Sequence, residues 1–507
     1  MKKIMSVVGY EFLRRAGGLS AFPLKRQAEV RPVTRVLMEN GLIAVPAQVA
    51  PQTDDSLDHV LFALKHEGVN LQVLAQALPK IPADRILEAT RATPNGVYVR
   101  IAGYLWEHFS GQRLEGRLET TAAYVEIFDR DRYVTGPSRR DPRWRVNFNG
   151  LGTLAYCATV ERTPAITAGI ESKILERTAE FLDSLGPEMR DRALAWAYLH
   201  ETEDSYAIEN ETPSEDKARL FVQLLHQAHD GRRLTEDYLC ELQSSTVSNP
   251  RLQADQFRAA QNWLRGPGRG ASGVTYVPPW PELVEPLMDE WMHFASDAPS
   301  QIDPIVAASV ASFGFVFIHP FWDGNGRLSR FMFHKALCTS GKLEKGLLLP
   351  VSVAMKRHEA EYLAALQSYS LPARERVKVT WIGEGEYTFD FKADDAIFRY
   401  WDATPCVEFG FKMAAQALDV ELRTETIFLA RYDKVVRRVN EQVDMIGNDL
   451  STLIVICLDA GGTISNKKRK RYANKVPETY FGIIEEAVRA TLEDDEEDTD
   501  DPAQGPA

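Results

Sequence analysis

The sequence has few cysteines, and they form no recognisable pattern. The chain has 507 residues and five cysteines, at positions 157, 240, 338, 406 and 457. Their number is odd and no CxxC spacing occurs, so the sequence indicates neither a disulfide framework nor a zinc site. Because disulfides are rare in reducing compartments, this usage favours such a compartment, and we expect the protein to be cytoplasmic.

Long apolar runs are also lacking. At the N-terminus, Glu11, Arg14 and Arg15 interrupt any stretch that could act as a signal sequence. The uncharged segment 305–318 is shorter than the roughly 20 residues that a membrane-spanning helix needs. The sequence therefore predicts no membrane partner.

Charge gives little information about partners. The formal net charge is −13, but residues 493–501 alone contribute eight acids, which leaves about −5 for the rest. Such an acidic end is typical of a disordered tail. The basic run 467–471 and the arginines around Trp144 could contact nucleic acid or could simply be solvated, and both readings stay open.

Residues 319–330, His-Pro-Phe-Trp-Asp-Gly-Asn-Gly-Arg-Leu-Ser-Arg, form the most informative segment. Before it, Asp303 and Pro304 are typical of the first residues of a helix, and the apolar stretch that follows predicts a buried helix. Pro320 cannot continue that helix, so His319 should lie at its end.

A glycine-containing turn, Gly324-Asn325-Gly326, should then open a second helix that ends near Gly341. The unpaired amides at a helix start can bind phosphate. Arg327 and Arg330 share one face of this helix, which lets both reach phosphates held by the turn.

The chemistry of these residue types suggests a role for each. His319 can accept the proton of an attacking hydroxyl, because an unperturbed imidazole titrates near neutrality. Asp323 is a hard oxygen ligand of the kind that Mg²⁺ prefers. The turn and Arg327 would stabilise charge on a transferring phosphate, and Arg330 would hold the distal one.

The segment resembles the Fic family signature HPFx(D/E)GN(G/K)RxxR at all nine specified positions. The resemblance implies a mainly α, Fic-type helical core and a magnesium-dependent enzyme that moves AMP from ATP to a Ser, Thr or Tyr hydroxyl of a protein, itself included. Gly326 favours nucleotidyl transfer, since the Doc-like branch, which phosphorylates its target, has lysine at this position.

Two further segments resemble family elements. Ser205-Tyr206-Ala207-Ile208-Glu209-Asn210 is similar to the inhibitory motif (S/T)xxxE(G/N), which implies that Glu209 forms a bidentate ion pair with Arg330 in place of the γ-phosphate. Val274-Thr275-Tyr276-Val277 resembles the strand of the target-docking flap, an exposed edge that could pair with an extended target segment.

The domain prediction combines these observations. We expect a mostly helical N-terminal domain over 1–160 and a Fic catalytic domain over 165–380. A C-terminal helical region should follow over 385–490, and an acidic disordered tail over 491–507. Within the catalytic domain, the inhibitory helix should cover residues 200–212 and the flap residues 270–279. A short β-hairpin is expected at the flap.

Alternatives to AMP transfer stay open on the sequence alone. The same fold could remove AMP, use another diphosphate donor or act as a phosphotransferase. A catalytically silent adaptor that binds nucleic acid is a further possibility. The target, the modified residue and the oligomeric state are not indicated.

Overall fold

The computed structural model describes residues 7–39, 41–117, 119–383, 385–443 and 448–500. Residues 1–6, 40 and 118 of the predicted N-terminal domain, and residues 501–507 of the predicted tail, lie outside these ranges. Helices predominate and the strands are short, which confirms the predicted mainly α fold. Across the described ranges, no helix is both long and apolar enough to cross a membrane.

The chain divides into two compact units. The first contains the residues up to Ala179 together with Tyr198–Ala415, and the second contains Glu180–Ala197 together with the residues from Gln416 onward. The segment matching the signature lies in the first unit, as do residues 205–210 and 274–277.

The N-terminal part of the first unit combines helices with short strands around a large apolar core and a smaller separate one, which contains Val8, Ala28 and Ile43. Its helices are Gly9–Ala16, Ser56–His66, Leu71–Ala77, Ala83–Ala92, Val97–Ser110, Pro164–Glu171 and the beginning of Ile174–Ser184. Its strands are Val7–Val8, Gln27–Val30, Leu37–Glu39, Leu42–Val45, Val125–Glu126, Arg139–Asp141, Val146–Phe148, Leu151–Gly152 and Cys157–Thr159.

The strands form small sheets. In the four-stranded sheet, Gln27–Val30 pairs in parallel with Leu42–Val45 and antiparallel with Val7–Val8. A three-stranded sheet joins distant parts of the unit, because Tyr400–Asp402 pairs in parallel with Cys157–Thr159. Segments that are far apart in the sequence therefore belong to one unit.

The remaining elements of the first unit surround the segment 319–330. Its helices are the end of Pro187–Ala207, then Glu215–Gln227, Glu236–Thr246, Pro281–Asp297, Pro304–Ile318, Asn325–Thr339, Val351–Arg357, Glu359–Arg374, Ala396–Arg399 and most of Thr404–Gln416. Two hairpins accompany them, Leu264–Arg265 with Val274–Tyr276 and Val377–Gly383 with Glu386–Phe391.

The helix Pro304–Ile318 is the centre of this part. Asp303 caps it by accepting hydrogen bonds from Ile305 N (2.9 Å) and Val306 N (3.2 Å), as its position before Pro304 predicts. Nearly every residue of the helix is buried, and it packs against Asn325–Thr339 and Pro281–Asp297. An apolar surface on all sides requires such burial, and the helix thus holds His319 on a rigid support.

The second unit is helical. Its core contains Val435, Leu453, Ile454, Phe481 and Ile484. After a π-helical segment, Ala417–Leu422, its helices are Arg423–Asn440, Asn448–Asp459, Asn466–Tyr472 and Glu478–Asp500. The last helix includes residues 491–500 of the segment predicted as an acidic tail, and Asp495 accepts hydrogen bonds from Arg431 and Lys434.

Candidate active site

His319 ends the buried helix in a left-handed conformation, with φ 55° and ψ 59°. Its ring Nδ1 lies 3.1 Å from the carbonyl oxygen of Val316. Since a carbonyl oxygen only accepts, Nδ1 carries the hydrogen and Nε2 keeps its lone pair. Burial lowers the pKa of His319 to about 4, so the imidazole is neutral at physiological pH and able to accept a proton.

The loop after His319 is fixed by its own side chains. Asn325 accepts a hydrogen bond from Phe321 N (3.0 Å) and donates one to Phe321 O (2.8 Å). The Phe321 ring is buried against Phe257, with centroids 5.6 Å apart. Asn325, predicted as a phosphate-binding residue, thus shapes the turn through its side chain while its backbone amide opens the second helix.

Gly324 and Asp323 form the start of that helix. Gly324 has φ 81°, and a Cβ there would lie 3.0 Å from Val247 Cγ2 and 3.1 Å from Thr246 Oγ1, so a side chain would be strained. The Gly324 amide donates to Asp323 Oδ1 at 2.7 Å. The next amides, at the first turn of Asn325–Thr339, have no acceptor within the helix and suit an anion.

Arg327 is fully buried and surrounded by carboxylates. Its Nη2 lies 3.1 Å from Asp323 Oδ1, and its Nη1 lies 2.9 Å from Glu211 Oε2. Its Nε lies 3.0 Å from Glu209 Oε2, at an angle too bent for a hydrogen bond. Burial lowers the pKa of Arg327, but the three carboxylates more than offset this and raise it overall.

Arg330 contacts two residues of the segment 205–210, Ser205 and Glu209. Its Nε donates to Ser205 Oγ at 2.9 Å, and its Nη2 donates to Ser205 O and, at 2.9 Å, to Glu209 Oε1. The sequence predicts a bidentate pair between Glu209 and Arg330. The structure instead divides the two oxygens of Glu209 between Arg330 and Arg327, because Ser205 already takes Arg330 Nε.

Gly326 makes this arrangement possible. A Cβ at position 326 would lie 2.2 Å from Glu209 Oε1, closer than atoms approach. The carboxylate therefore lies directly against the backbone of the predicted phosphate turn. A phosphate held by this turn and the Glu209 carboxylate would contact the same two guanidinium groups, those of Arg327 and Arg330.

A left-handed turn presents Glu209. The helix Pro187–Ala207 ends just before it, and Asn210 adopts φ 58°, a conformation that asparagine tolerates better than most residues. Glu211 N donates to Tyr206 O at 3.1 Å and closes the turn. The predicted inhibitory helix 200–212 is thus a helix to Ala207 followed by this turn.

Several residues around the site were not singled out from the sequence. Glu211 binds Arg327. His334, one turn after Arg330 on the same face of its helix, lies 2.6 Å from Glu201 Oε1. Glu201 also accepts hydrogen bonds from Ser352 N (2.7 Å) and Ser352 Oγ. For Glu211 the signal was its position two residues after Glu209.

The predicted flap is a hairpin whose strand Val274–Tyr276 pairs with Leu264–Arg265. Val274, Tyr276 and Val277 are buried, and Thr275 is exposed. The Tyr276 hydroxyl donates to Phe317 O at 2.6 Å, one residue before the end of the helix that carries His319. The hairpin is thereby joined directly to the helix that ends at His319.

Metal-binding groups are sparse. Within the described ranges, no cluster of three or more His, Cys, Asp or Glu side chains could hold a metal ion. Asp323 is the acidic side chain of the signature, and it is 29% exposed.

Part of the chain is similar to known proteins. Residues 233–337 match the Fic/DOC family model. A protein adenylyltransferase fic-1 of Caenorhabditis elegans is 31% identical over 168 residues, which is 32% of this chain and 29% of that protein. A protein adenylyltransferase Fic of Aedes aegypti is 26% identical over 247 residues, 41% of this chain and 46% of that protein. The chain thus spans less than half the length of these relatives.

Solved structures of Fic proteins are similar as well. A Fic family protein from Desulfovibrio desulfuricans is 18% identical with a TM-score of 0.37, covering 68% of this chain and 94% of that chain. Fic-1 from C. elegans is 15% identical with a TM-score of 0.34, covering 82% and 97%. The match at residues 233–337 includes His319, Asp323, both arginines and the flap strand, so this part of the chain is a Fic/DOC family domain.

Proposed function

We propose that the chain is a protein adenylyltransferase that Glu209 holds in an inhibited state. It would move AMP from ATP to a Ser, Thr or Tyr hydroxyl of a protein, which could be another copy of itself. The observation that carries the proposal is the position of Glu209. Its two oxygens lie 3.0 Å from Arg327 Nε and 2.9 Å from Arg330 Nη2, against the backbone of Gly326.

The reaction follows from the placement of the groups. The target oxygen attacks the α-phosphorus of ATP, its proton passes to His319 Nε2, and the bond from the α-phosphorus to the bridging oxygen of the β-phosphate breaks. Pyrophosphate leaves with the electron pair. The turn amides and Arg327 would stabilise the charge on the transferring group, and Arg330 would hold the terminal phosphate.

Asp323 fits a magnesium ion that reaches the site with ATP. Its Oδ1 accepts hydrogen bonds from Gly324 N and Arg327 Nη2, while the carboxylate is partly exposed. One carboxylate is sufficient, since Mg²⁺ is usually held by one or two carboxylates together with substrate phosphates and waters. The ion would neutralise phosphate charge.

In the inhibited state, Glu209 would stand where the terminal phosphate has to lie. Replacing it with a neutral residue removes its contacts with both guanidinium groups. ATP can then bind with its phosphates extended along the turn. This competition is the reason that we expect the wild-type chain to be slow and the Glu209→Gly variant to be fast.

Labelled ATP tests the proposal. With ATP labelled at the α-phosphorus, Glu209→Gly should incorporate label into protein at least roughly tenfold faster than wild type. With a γ label it should incorporate none. Glu209→Gly combined with His319→Ala is the matched control, and it should incorporate neither label although its arginines no longer contact Glu209.

The alternatives give different results. Transfer of the γ label would mean phosphorylation. Loss of AMP from a modified protein, faster in wild type than in Glu209→Gly, would mean hydrolysis. No transfer by a folded Glu209→Gly protein would contradict the proposal, and retention on DNA would then favour an adaptor.

A further inference from the structure

The carbonyl groups at the end of the helix Pro304–Ile318 are all paired, and the partners are unusual. The last four carbonyls of a helix have no partner within it. His319 N donates to Phe315 O at 2.9 Å, and His319 Nδ1 binds Val316 O. The other two, Phe317 O and Ile318 O, accept hydrogen bonds from Tyr276 Oη and, at 3.4 Å, from Arg258 Nη2.

Arg258 is a buried cation at this helix end, only 4% exposed. Its Nε donates to His319 O at 2.8 Å, and its backbone amide donates to Pro320 O at 2.9 Å. With the bond to Ile318 O, it contacts the carbonyls of three successive residues around the predicted base. A guanidinium suits this place, because its donors are held in a fixed plane and a cation is favoured at a helix C-terminus.

The same guanidinium reaches the flap. Arg258 Nη2 donates to Pro279 O at 2.6 Å, just after the flap strand. Tyr276, within the strand, makes the second connection through its hydroxyl to Phe317 O. Two buried side chains thus join the predicted target-docking hairpin to the two residues before His319 and to His319 itself.

We propose that Arg258 is a positioning residue that fixes the flap relative to the imidazole of His319, with Tyr276 as the second connection. The inference rests on the proposed AMP transfer. A target segment paired with the flap would present its hydroxyl at a distance from His319 Nε2 that these two connections set. Neither side chain is among the residues predicted to bind the phosphates.

The left-handed conformation of His319 explains why such support is needed. A residue other than glycine at φ 55° is strained, and strain persists only where the surroundings hold it. Two side chains of one segment stabilise this conformation. Arg258 Nε donates a hydrogen bond to His319 O, and Asn262 Nδ2 donates one to Phe321 O at 2.9 Å. Loosening it would displace the imidazole without touching ATP.

The charge of Arg258 gives the proposal a second readout. Burial is the main cause of the lowered pKa of His319, the bond to Val316 O opposes it, and the positive charge of Arg258 lowers it further. Among the described residues, Arg258 is the one charged group that contributes to this pKa. Removing its charge should raise the pKa of the imidazole. As the pH is lowered, AMP transfer should then be lost at a higher pH than in the parent protein.

Three variants separate positioning from charge, each in the Glu209→Gly background. Arg258→Lys keeps the charge but loses the planar set of donors, Arg258→Gln loses the charge, and Tyr276→Phe loses one hydroxyl only. The measurements are initial rates of α-label incorporation into the protein at varied ATP and pH, with thermal melting to show that each variant is folded.

We expect all three variants to lower kcat by roughly ten- to a hundredfold while the KM for ATP stays within about twofold, since displacing a reacting group by about 1 Å has an effect of this size. Only Arg258→Gln should move the acid side of the pH profile upward, by less than about one unit.

Unchanged kcat in folded Arg258→Lys and Tyr276→Phe proteins would overturn the inference while leaving AMP transfer intact. So would a KM for ATP that rises in step with the loss of kcat. If an Arg258 variant fails to fold, Tyr276→Phe still decides between the outcomes, because it removes one hydroxyl, which donates to Phe317 O, and keeps the buried ring. A parent Glu209→Gly protein without any transfer would overturn the proposed function, and this inference with it.

Discussion

Glu211 Oε2 lies 2.9 Å from Arg327 Nη1, so the carboxylate of Glu209 is not the only one that an incoming phosphate chain would displace. Glu209 and Glu211 are separated by one residue, Asn210, whose left-handed conformation turns both acids toward the same guanidinium. Arg327 therefore contacts two carboxylates of one turn, whereas Arg330 contacts Glu209 and Ser205.

Glu211→Gln should activate the protein weakly. Glu211 is 39% exposed, and partly exposed ion pairs contribute little, so we expect about a two- to fivefold increase in AMP incorporation. Added to Glu209→Gly, the same change should have a smaller effect, because ATP already enters. Initial rates of α-label incorporation measure both. An increase as large as that of Glu209→Gly would show that Glu211, not Glu209, is the main restraint.

Substitutions of His319 and Arg330 should have different effects, the first on the rate of AMP transfer and the second on the affinity for ATP. In the Glu209→Gly background, His319→Ala should lower transfer by on the order of 10²- to 10⁴-fold, since it removes the base but no phosphate contact. Arg330→Ala should weaken ATP binding by roughly ten- to a hundredfold, because it removes a charged donor. Calorimetry with ATP measures affinity and labelling measures transfer. Comparable losses of affinity in both variants would contradict this division of roles.

Glu201 should be important for stability. It is buried, it lies 2.6 Å from His334 Nε2, and it accepts two hydrogen bonds from Ser352. Glu201→Ala leaves these groups without partners, and we expect a loss of about 3 kcal/mol in the free energy of unfolding. Urea unfolding followed by circular dichroism is the measurement.

Glu203→Ala is the control for that change. Glu203 lies on the same helix, its side chain is 51% exposed, and it faces His200 at 3.4 Å. Its substitution should change the free energy of unfolding by no more than about 0.5 kcal/mol. Equal effects of the two substitutions would mean that the contacts of Glu201 with His334 and Ser352 contribute nothing beyond helix propensity.

The elements that local sequence determines were predictable. Asp303 and Pro304 define the start of the buried helix, and Pro320 follows its end at Ile318. The turn at Gly324 defines the start of the next helix. These signals act through neighbouring residues, so a pattern in one segment is sufficient. The family resemblance then added the roles of the residues between the two helices.

The long-range polar pairs were not predictable from the chain. Arg258 is 61 residues from His319, and Glu201 is 133 residues from His334. Nothing near Arg258 in the sequence indicates that it will be buried, and an isolated arginine is more often exposed. Its partners are backbone carbonyls, which carry no sequence signal. Only the packing of the flap against the helix end brings them together.

Stability should fall as pH rises through the range in which Glu67 titrates. Burial raises the pKa of Glu67 to about 8, while Tyr10 N donates to its Oε1 at 2.9 Å. A carboxyl whose folded-state pKa is raised contributes its full stability below the unfolded-state pKa, near 4.5, and loses it progressively up to about pH 8. Glu67→Gln cannot ionise, so its free energy of unfolding relative to wild type should increase from pH 5 to pH 8. Urea unfolding at pH 5, 6.5 and 8 measures the difference, with Glu88→Gln, whose side chain is 73% exposed, as the control. A difference from wild type that stays constant across these three pH values in Glu67→Gln would contradict burial of an ionisable carboxyl at this position.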